Sequence, residues 1–241
     1  MNAPKTSDWE RYVANQFDQQ VDRFPKSIAF DDARVKAIKQ AYSDWTGKLV
    51  LDLGCGSGRY WPILKSWGAC VAGLDVSERS LEHAPADHLK LVGSVSRLPF
   101  SESSFDAVLL LELLQHLKCP ELAVFEALRL LKPSGRLIII DRNPWALDSS
   151  RPWLPSLLMK QIDQRRGLWM YPRNSPVKER WSRPKHWQTT SYGYISNWNI
   201  QHLESSEESS RKIRRLIPFT RPFYCLTGTR SENHFTASQS A

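Results

Sequence analysis

The sequence has few cysteines and no long apolar segment. Its four cysteines are Cys55, Cys70, Cys119 and Cys225. Because they form no CxxC pair and no metal-ligand spacing, we expect neither a disulfide-stapled secreted domain nor a metal site. The most apolar stretch, residues 108–117, is interrupted by Glu112 and Gln115 and is too short to span a bilayer. The sequence therefore predicts a soluble, cytoplasmic protein.

Acidic residues are scarce in one part of the chain. The 241 residues carry a net charge of +8, and residues 151–190 hold nine basic but only two acidic side chains. This excess predicts an anionic partner, and a phosphorylated substrate, a lipid head group and nucleic acid all remain open. The wider segment 142–190 also contains five tryptophans and six prolines.

Apolar spacing predicts the order of helices and strands. Residues 8–20 and 31–43 have helical periodicity, and five short apolar runs follow that alternate with helical segments. These runs are residues 48–53, 70–75, 89–94, 105–111 and 136–141. A helix begins at Pro120, with Leu122, Phe125 and Leu128 on its expected apolar face. Such alternation predicts a parallel α/β sheet with right-handed crossovers, to which residues 192–199 and 222–229 add two strands.

The pattern divides the chain into five parts. We expect an N-terminal helical cover at 1–46, a cofactor-binding core at 47–141, a cap inserted at 142–190, the last strands of the same sheet at 191–230 and a disordered tail at 231–241. In the cap, one short amphipathic helix is expected after Pro152, and the rest is turn-like.

A glycine-rich turn follows the first predicted strand. Residues 51–59 read LDLGCGSGR, and Asp75 ends the next strand. The glycines let a ligand approach the backbone, and a carboxylate at that second position can accept hydrogen bonds from ribose hydroxyls. The spacing GxGxG differs from the dinucleotide pattern GxGxxG. Together, the turn and the acid predict a nucleoside-containing cofactor.

Four stretches resemble the class I S-adenosylmethionine-dependent methyltransferases of the small-molecule and quinone type (type 11). They are VLDLGCGSGRY, VAGLDVS, LPFSESSFDAVLLLELLQHL and LRLLKPSGRLIII. The resemblance implies a doubly wound, seven-stranded, mostly parallel Rossmann-like sheet and S-adenosylmethionine as cofactor. The cofactor-binding residues that it implies are Asp52, Gly54, Cys55, Gly56, Gly58, Asp75, Val76, Ser94, Val95 and Leu111.

The resemblance also implies which part of the cofactor each of these residues contacts. Asp52 and the loop 54–58 would hold the methionine portion, Asp75 the ribose, Val76 the adenine face, and Ser94 with Val95 the adenine edge. Many members of the family have an aspartate at the position of Ser94, so the contact to the adenine amino group is weaker here, although a hydroxyl or a backbone N–H can still meet the ring.

The reaction itself calls for few catalytic residues. Methyl transfer needs alignment and, for a hydroxyl acceptor, removal of a proton. His116 is the candidate base, and Glu112, four residues earlier, would share its helical face. The alternative is that His116 only caps a helix or faces solvent.

The cap is the predicted site of acceptor binding. We expect Arg165, Arg166, Trp169 and Tyr171 to bind a small-molecule, glycan or lipid-linked anionic acceptor. Alternatively, the tryptophans are core and the charges face solvent, or the cap contacts a membrane surface or RNA.

An O-methyltransferase is the function expected from these features. The rivals are a cofactor-fold binding or scaffold protein without catalysis and an RNA methyltransferase that uses the basic cap. No recognised nucleic-acid-binding module accompanies the basic residues, which makes nucleic acid the weaker partner. The sequence predicts no oligomeric state.

Overall fold

The computed structural model describes residues 7–96, 98–148, 151, 154–171, 173–204 and 221–232. The helices are α1 Asp8–Gln20, α2 Ala33–Lys39, α3 Trp61–Ser66, α4 Glu78–Glu82, α5 Pro120–Leu130, α6 Ser156–Arg165 and α7 Pro184–Thr190. The strands are β1 Leu49–Leu53, β2 Cys70–Asp75, β3 Leu89–Val92, β4 Phe105–Leu111, β5 Leu131–Arg142, β6 Ile195–Leu203 and β7 Phe223–Arg230.

The seven strands form one sheet in the order β3-β2-β1-β4-β5-β7-β6. Strands β1 to β5 pair in parallel, and β7 runs antiparallel to both β5 and β6. The predicted seven-stranded, mostly parallel sheet is therefore confirmed. The strand order reverses between β1 and β4, which is where open α/β sheets bind ligands at their carboxyl ends.

The central strands are buried on both faces because helices cover the sheet on each side. Leu51 and Val108 belong to one apolar layer, and their chain neighbours Val50 and Ala107 belong to the other. All four are fully buried. Since successive side chains in a strand point to opposite faces, near-continuous apolar runs are what a doubly covered sheet requires.

Helix α5 uses a different face from the one its leucine spacing suggested. Ala123, Val124 and Ala127 are fully buried, whereas Leu122 and Phe125 are exposed. The expected face, with Leu122 and Phe125, was wrong because the small residues lie closest to the sheet. Leu128 is buried, as expected.

The N-terminal helix and the cap meet over the carboxyl edge of the sheet. A capping box starts α1, in which Ser7 and Glu10 satisfy each other's backbone N–H groups. Val13 of α1 packs in a buried cluster with Tyr171 and Val177 of the cap. The two segments thus cover the same ligand-binding edge.

The cap contains a second helix that the sequence did not reveal. Helix α7 is short, begins at Pro184, and buries Trp187 against the sheet. Trp153 and residues 233–241 of the predicted tail lie outside the described residues. Across the described part of the chain, no helix combines the length and apolar character needed to cross a bilayer.

Candidate active site

A cavity of about 440 Å³ lies at the carboxyl ends of the central strands. Its floor includes Asp52, Asp75 and Leu111, and its roof includes Phe17 of α1 and Trp169 of the cap. The cavity therefore joins the predicted cofactor site to the predicted acceptor cover.

The glycine turn shapes one end of this cavity. Gly54 has a φ of +67°, and a Cβ there would lie 2.5 Å from Leu113 Cδ1. Gly56 has a φ of +53°, but a Cβ there would meet nothing within 4 Å. Both positions need glycine for their backbone conformation, and Gly56 also leaves open space where a ligand can approach the main chain.

Asp75 is held at the end of β2 by backbone donors. The N–H of Gly56 donates to Oδ2 at 2.7 Å, and the N–H of Ser77 donates to Oδ1 at 2.8 Å. Burial raises the pKa of Asp75. The backbone N–H of Val76 also binds the carboxylate, so of its about four acceptor sites at least one remains for a hydroxyl of a ribose.

Asp52 at the end of β1 is also buried. The indole N–H of Trp61 donates to its Oδ2 at 2.9 Å. Burial and the nearby Asp75 charge raise the pKa of Asp52 to about 7. A cationic ammonium group beside Asp52 would offset that desolvation. The two carboxylates, Asp52 and Asp75, therefore fit the methionine portion and the ribose of S-adenosylmethionine.

The structure brings nine of the ten predicted cofactor residues to the cavity lining; they are Asp52, Gly54, Cys55, Gly56, Asp75, Val76, Ser94, Val95 and Leu111. Gly58 is the exception, since a Cβ there would lie 2.7 Å from the ring of Trp61. Its role is therefore to let the turn pack against α3, which corrects its assignment as a ligand contact.

Ser94 has a carboxylate partner from the N-terminal helix. Its hydroxyl donates to Glu10 Oε1, and both residues line the cavity. The sequence predicted no role for Glu10, because its partner is 84 residues away. An acid is thus present beside Ser94, although it comes from α1.

Glu112 and His116 both line the cavity, but they do not share a helical face. Glu112 has a positive φ of 56°, and a short 3-10 turn at Leu114–His116 follows it. Arg34 Nη1 donates to Glu112 at 3.0 Å, and Arg59 binds the same oxygen. These two guanidinium groups outweigh burial and lower the pKa of Glu112 to about 2. The carboxylate is therefore a poor proton acceptor near neutral pH.

His116 contacts the cap at its Nδ1 atom. Tyr171 Oη lies 3.1 Å from Nδ1, and Glu179 Oε1 lies 3.6 Å from it. Burial lowers the pKa of His116 below its ordinary value, although Glu179 opposes that shift. A neutral imidazole in the cavity can accept a proton near neutral pH.

Three of the four predicted acceptor-binding residues do not line the cavity. Arg165 and Arg166 are exposed at the end of α6 and do not line it. The chain reverses at Gly167, whose φ is +70°, and this turn directs Trp169 back into the lining. Tyr171 is fully buried and reaches the site only through His116. The expectation for Arg165 and Arg166 is corrected accordingly.

With Arg23 and Arg59, Arg142 is one of the cationic cavity residues that sequence reasoning missed. It is the last residue of β5, and its Cζ lies 4.8 Å from the ring centroid of Phe223. The rule that ligands bind at the carboxyl ends of strands could have identified it. In the described part of the chain, no group of three His, Cys, Asp or Glu residues could hold a metal ion.

Comparison with known proteins supports the cofactor assignment. Residues 51–139 match the family model described as a methyltransferase domain. A ubiquinone biosynthesis O-methyltransferase from Alkalilimnicola ehrlichii is 33% identical over 121 residues, covering 46% of this chain and 49% of that protein. The chain thus spans about half the length of the curated relatives it matches.

The fold is shared with solved methyltransferase structures. A putative methyltransferase from Haloferax volcanii, solved with the Trm112 methyltransferase activator, has a TM-score of 0.64 at 18% identity, over 92% of this chain and 99% of that one. An S-adenosylmethionine-dependent methyltransferase from Thermotoga maritima, described as a possible histamine N-methyltransferase, has a TM-score of 0.62 at 19% identity, over 92% and 98%. Residues 51–139 thus match a methyltransferase domain, and the chain shares the fold of solved S-adenosylmethionine-dependent methyltransferases.

Proposed function

We propose that the protein transfers a methyl group from S-adenosylmethionine to the hydroxyl of a small anionic acceptor. The observation that carries this proposal is the single cavity lined by Asp52 and Asp75 at one end and by His116 and Arg142 at the other. When bound, S-adenosylmethionine supplies a sulfonium methyl group. The chain's own residues align the acceptor, exclude water and remove its proton.

Unpartnered polar atoms support an acceptor site beside His116. The buried atoms Gln115 Oε1 and Tyr60 Oη have no hydrogen-bond partner among the described residues. Both residues line the cavity. Because buried polar atoms are normally hydrogen-bonded, a polar ligand is the simplest partner for them.

Arg142 supports an anionic acceptor. Its guanidinium lies over the aromatic rings of Phe223 and Trp181, and although its charge also acts on Glu112 and Asp141, it forms no salt bridge with them among the described residues. A carboxylate or phosphate of the acceptor could therefore pair with it. The acceptor could be free, part of a glycan or lipid-linked. Four free cysteines support a cytoplasmic setting.

Calorimetric titration tests the cofactor assignment. S-adenosylhomocysteine should bind the wild-type protein, and Asp75→Ala should weaken the affinity about 100-fold or more because ribose contacts are lost. Glu78→Ala, an exposed residue of α4 nearby, is the matched control and should bind normally. Absence of binding by the wild type would refute the proposal.

Labelled methyl transfer tests the acceptor class. The protein is incubated with labelled S-adenosylmethionine and a metabolite and glycolipid extract, with RNA as competitor. We expect an anionic small-molecule or glycolipid product that RNA does not suppress. Arg142→Ala should lower the rate about tenfold with unchanged affinity for S-adenosylhomocysteine, whereas Arg151→Ala, on the exposed cap, should not. Label in RNA would instead favour an RNA methyltransferase, and binding without any product a scaffold protein.

A further inference from the structure

The cap surrounds His116 with buried polar groups. They come from one segment, residues 160–179, and include Lys160, Trp169, Tyr171 and Glu179. Lys160 and Tyr171 are almost completely buried. A buried charge destabilises a protein unless it is paired. These paired groups therefore belong to the packed interior of the cap and not to its solvated surface.

One oxygen of Glu179 is fixed by the cap itself. Lys160 Nζ donates to Oε2 at 2.9 Å, and the indole N–H of Trp169 donates to the same atom at 3.0 Å. The Lys160 ammonium also lies 5.8 Å from the Trp169 ring centroid and 5.0 Å from that of Trp181. These contacts leave Oε1 facing the ring of His116.

The two nitrogens of His116 face different partners. Nδ1 lies 3.6 Å from Glu179 Oε1 and 3.1 Å from Tyr171 Oη. Nε2 lies 3.3 Å from the side-chain nitrogen of Gln115, which can donate to it. The carboxylate near Nδ1 favours a proton there, which the Tyr171 hydroxyl can accept, and an amide donor at Nε2 favours a lone pair there. The network therefore selects the Nδ1–H tautomer.

The geometry points to Glu179 as the positioning residue that holds His116 in its Nδ1–H tautomer and stabilises its protonated form during methyl transfer to a hydroxyl acceptor. This inference rests on the proposed function. The acceptor hydroxyl replaces the Gln115 amide at Nε2, and Nε2 accepts the hydroxyl proton while the acceptor oxygen forms a bond to the methyl carbon. The carbon–sulfur bond breaks, and its electron pair remains on sulfur. Glu179 then faces an imidazolium cation, which it stabilises.

The charges around His116 are balanced for this role. Glu179 and Glu112 favour the imidazolium, whereas burial, Arg142 and Lys160 oppose it. Although burial opposes the shift, contacts with His116, Lys160 and Trp169 lower the pKa of Glu179, which is therefore ionised near neutral pH. Tyr171 stays protonated, because burial raises its pKa further.

Nitrogen NMR on the full chain saturated with S-adenosylhomocysteine tests the inference directly. The protein is labelled with ¹⁵N-histidine, and His116→Gln assigns the signal among the six histidines. We expect the wild type to show a protonated Nδ1 and an unprotonated Nε2 at pH 8. In Glu179→Gln the Nε2–H form should appear, and the pKa of His116 should fall further, because a negative charge is lost.

Kinetics provide the second readout. In the labelled-extract assay, Glu179→Gln should lower the rate at saturating cofactor about tenfold while affinity for S-adenosylhomocysteine stays within twofold. Glu179→Asp should restore part of the rate. The matched control is Glu121→Gln, because Glu121 pairs with His186 at 3.1 Å on the surface, outside the cavity. It should behave as wild type in both measurements.

A folding defect can be separated from a positioning defect. If Glu179→Gln leaves Lys160 unpaired and unfolds the cap, the double variant Lys160→Met, Glu179→Gln removes both charges and keeps the packing. An unchanged tautomer, pKa and rate in the folded variant would overturn the role of Glu179. A wild type that does not bind S-adenosylhomocysteine would instead overturn the proposed function.

Discussion

The two ends of the cavity are built in different ways. The cofactor end takes its main contacts from short stretches that follow β1 and β2, such as Gly54, Gly56 and Asp75. The acceptor end combines Phe17 of α1, His116 after β4, Arg142 of β5 and Glu179 of the cap. A local motif can therefore specify the first, whereas the second exists only when distant segments pack together. Four predictions test this difference.

The largest effect is expected at Gly56, because its open space is where the cofactor approaches the backbone. Gly56→Val should lower the affinity for S-adenosylhomocysteine about 100-fold or more, since the side chain fills that space. Calorimetry measures this loss.

The control for Gly56 is Gly47→Val. Gly47 also has a positive φ, of +71°, and a Cβ there also meets nothing within 4 Å. Both variants should therefore carry a similar backbone strain of about 1–2 kcal/mol. If Gly47→Val weakened binding equally, the effect would come from strain alone, and the cofactor end would not be locally specified.

The next effect is a pH dependence of cofactor affinity. Burial and Asp75 raise the pKa of Asp52 to about 7, so Asp52 is mostly protonated at pH 6 and mostly ionised at pH 8. Because only the ionised form pairs with the ammonium group, affinity for S-adenosylhomocysteine should rise about tenfold over that range. Titration calorimetry at several pH values measures it. Asp52→Asn should bind weakly and lose this dependence; a flat wild-type profile would contradict the assignment.

A stability measurement probes the acceptor end. Burial raises the pKa of Asp141, next to Arg142, to about 8, and its Oδ2 has no partner among the described residues. The folded state therefore holds this proton more tightly than the unfolded state. As the pH rises from about 4 to about 8, Asp141 should therefore lower the free energy of unfolding, by at most about 1.4 kcal/mol per pH unit.

Asp141→Asn should accordingly raise the free energy of unfolding at pH 7, as measured by urea denaturation. Asp106 is the matched control, because it pairs with Lys132 at 2.9 Å and has a lowered pKa. Asp106→Asn should instead lower stability at pH 7. If Asp141→Asn instead lowered the free energy of unfolding at pH 7, the buried Asp141 carboxylate would not destabilise the folded state.

The smallest effect is expected for the exposed cap arginines. The double variant Arg165→Ala, Arg166→Ala should change the rate of labelled methyl transfer less than twofold, because neither side chain lines the cavity. Arg142→Ala, with one charge removed instead of two, should have the larger effect. The opposite ranking would show that the acceptor end extends onto the cap surface.

Helices and strands with strong local patterns could be predicted closely. The predicted bounds of β2 and β4 agree with the structure, because both are apolar runs. The face of α5 could not be predicted, since it depends on how closely the helix approaches the sheet. Helix α7 is seven residues long and begins at Pro184, so its periodicity was too short to recognise.

The sequence also could not show which basic residues reach the cavity. The basic segment 151–190 indicated an anionic partner, yet its Lys160 is buried in a pair with Glu179, and its Arg165 and Arg166 face solvent. The cations that line the cavity, Arg23, Arg59 and Arg142, all lie outside that segment. Composition counts charges, but only burial and pairing decide which of them meets a ligand.

The sequence by itself determined the individual strands, the glycine turn and the two buried aspartates of the cofactor site, because each depends on residues close together in the chain. Only the tertiary structure decided that Glu10 lies beside Ser94, that Glu112 is held by Arg34 and Arg59, and that Glu179 faces His116. Those partners are 53 to 84 residues apart, and no local pattern encodes such contacts. They form because burying the cap and α1 against the sheet leaves these polar groups no water to pair with, so they pair with one another.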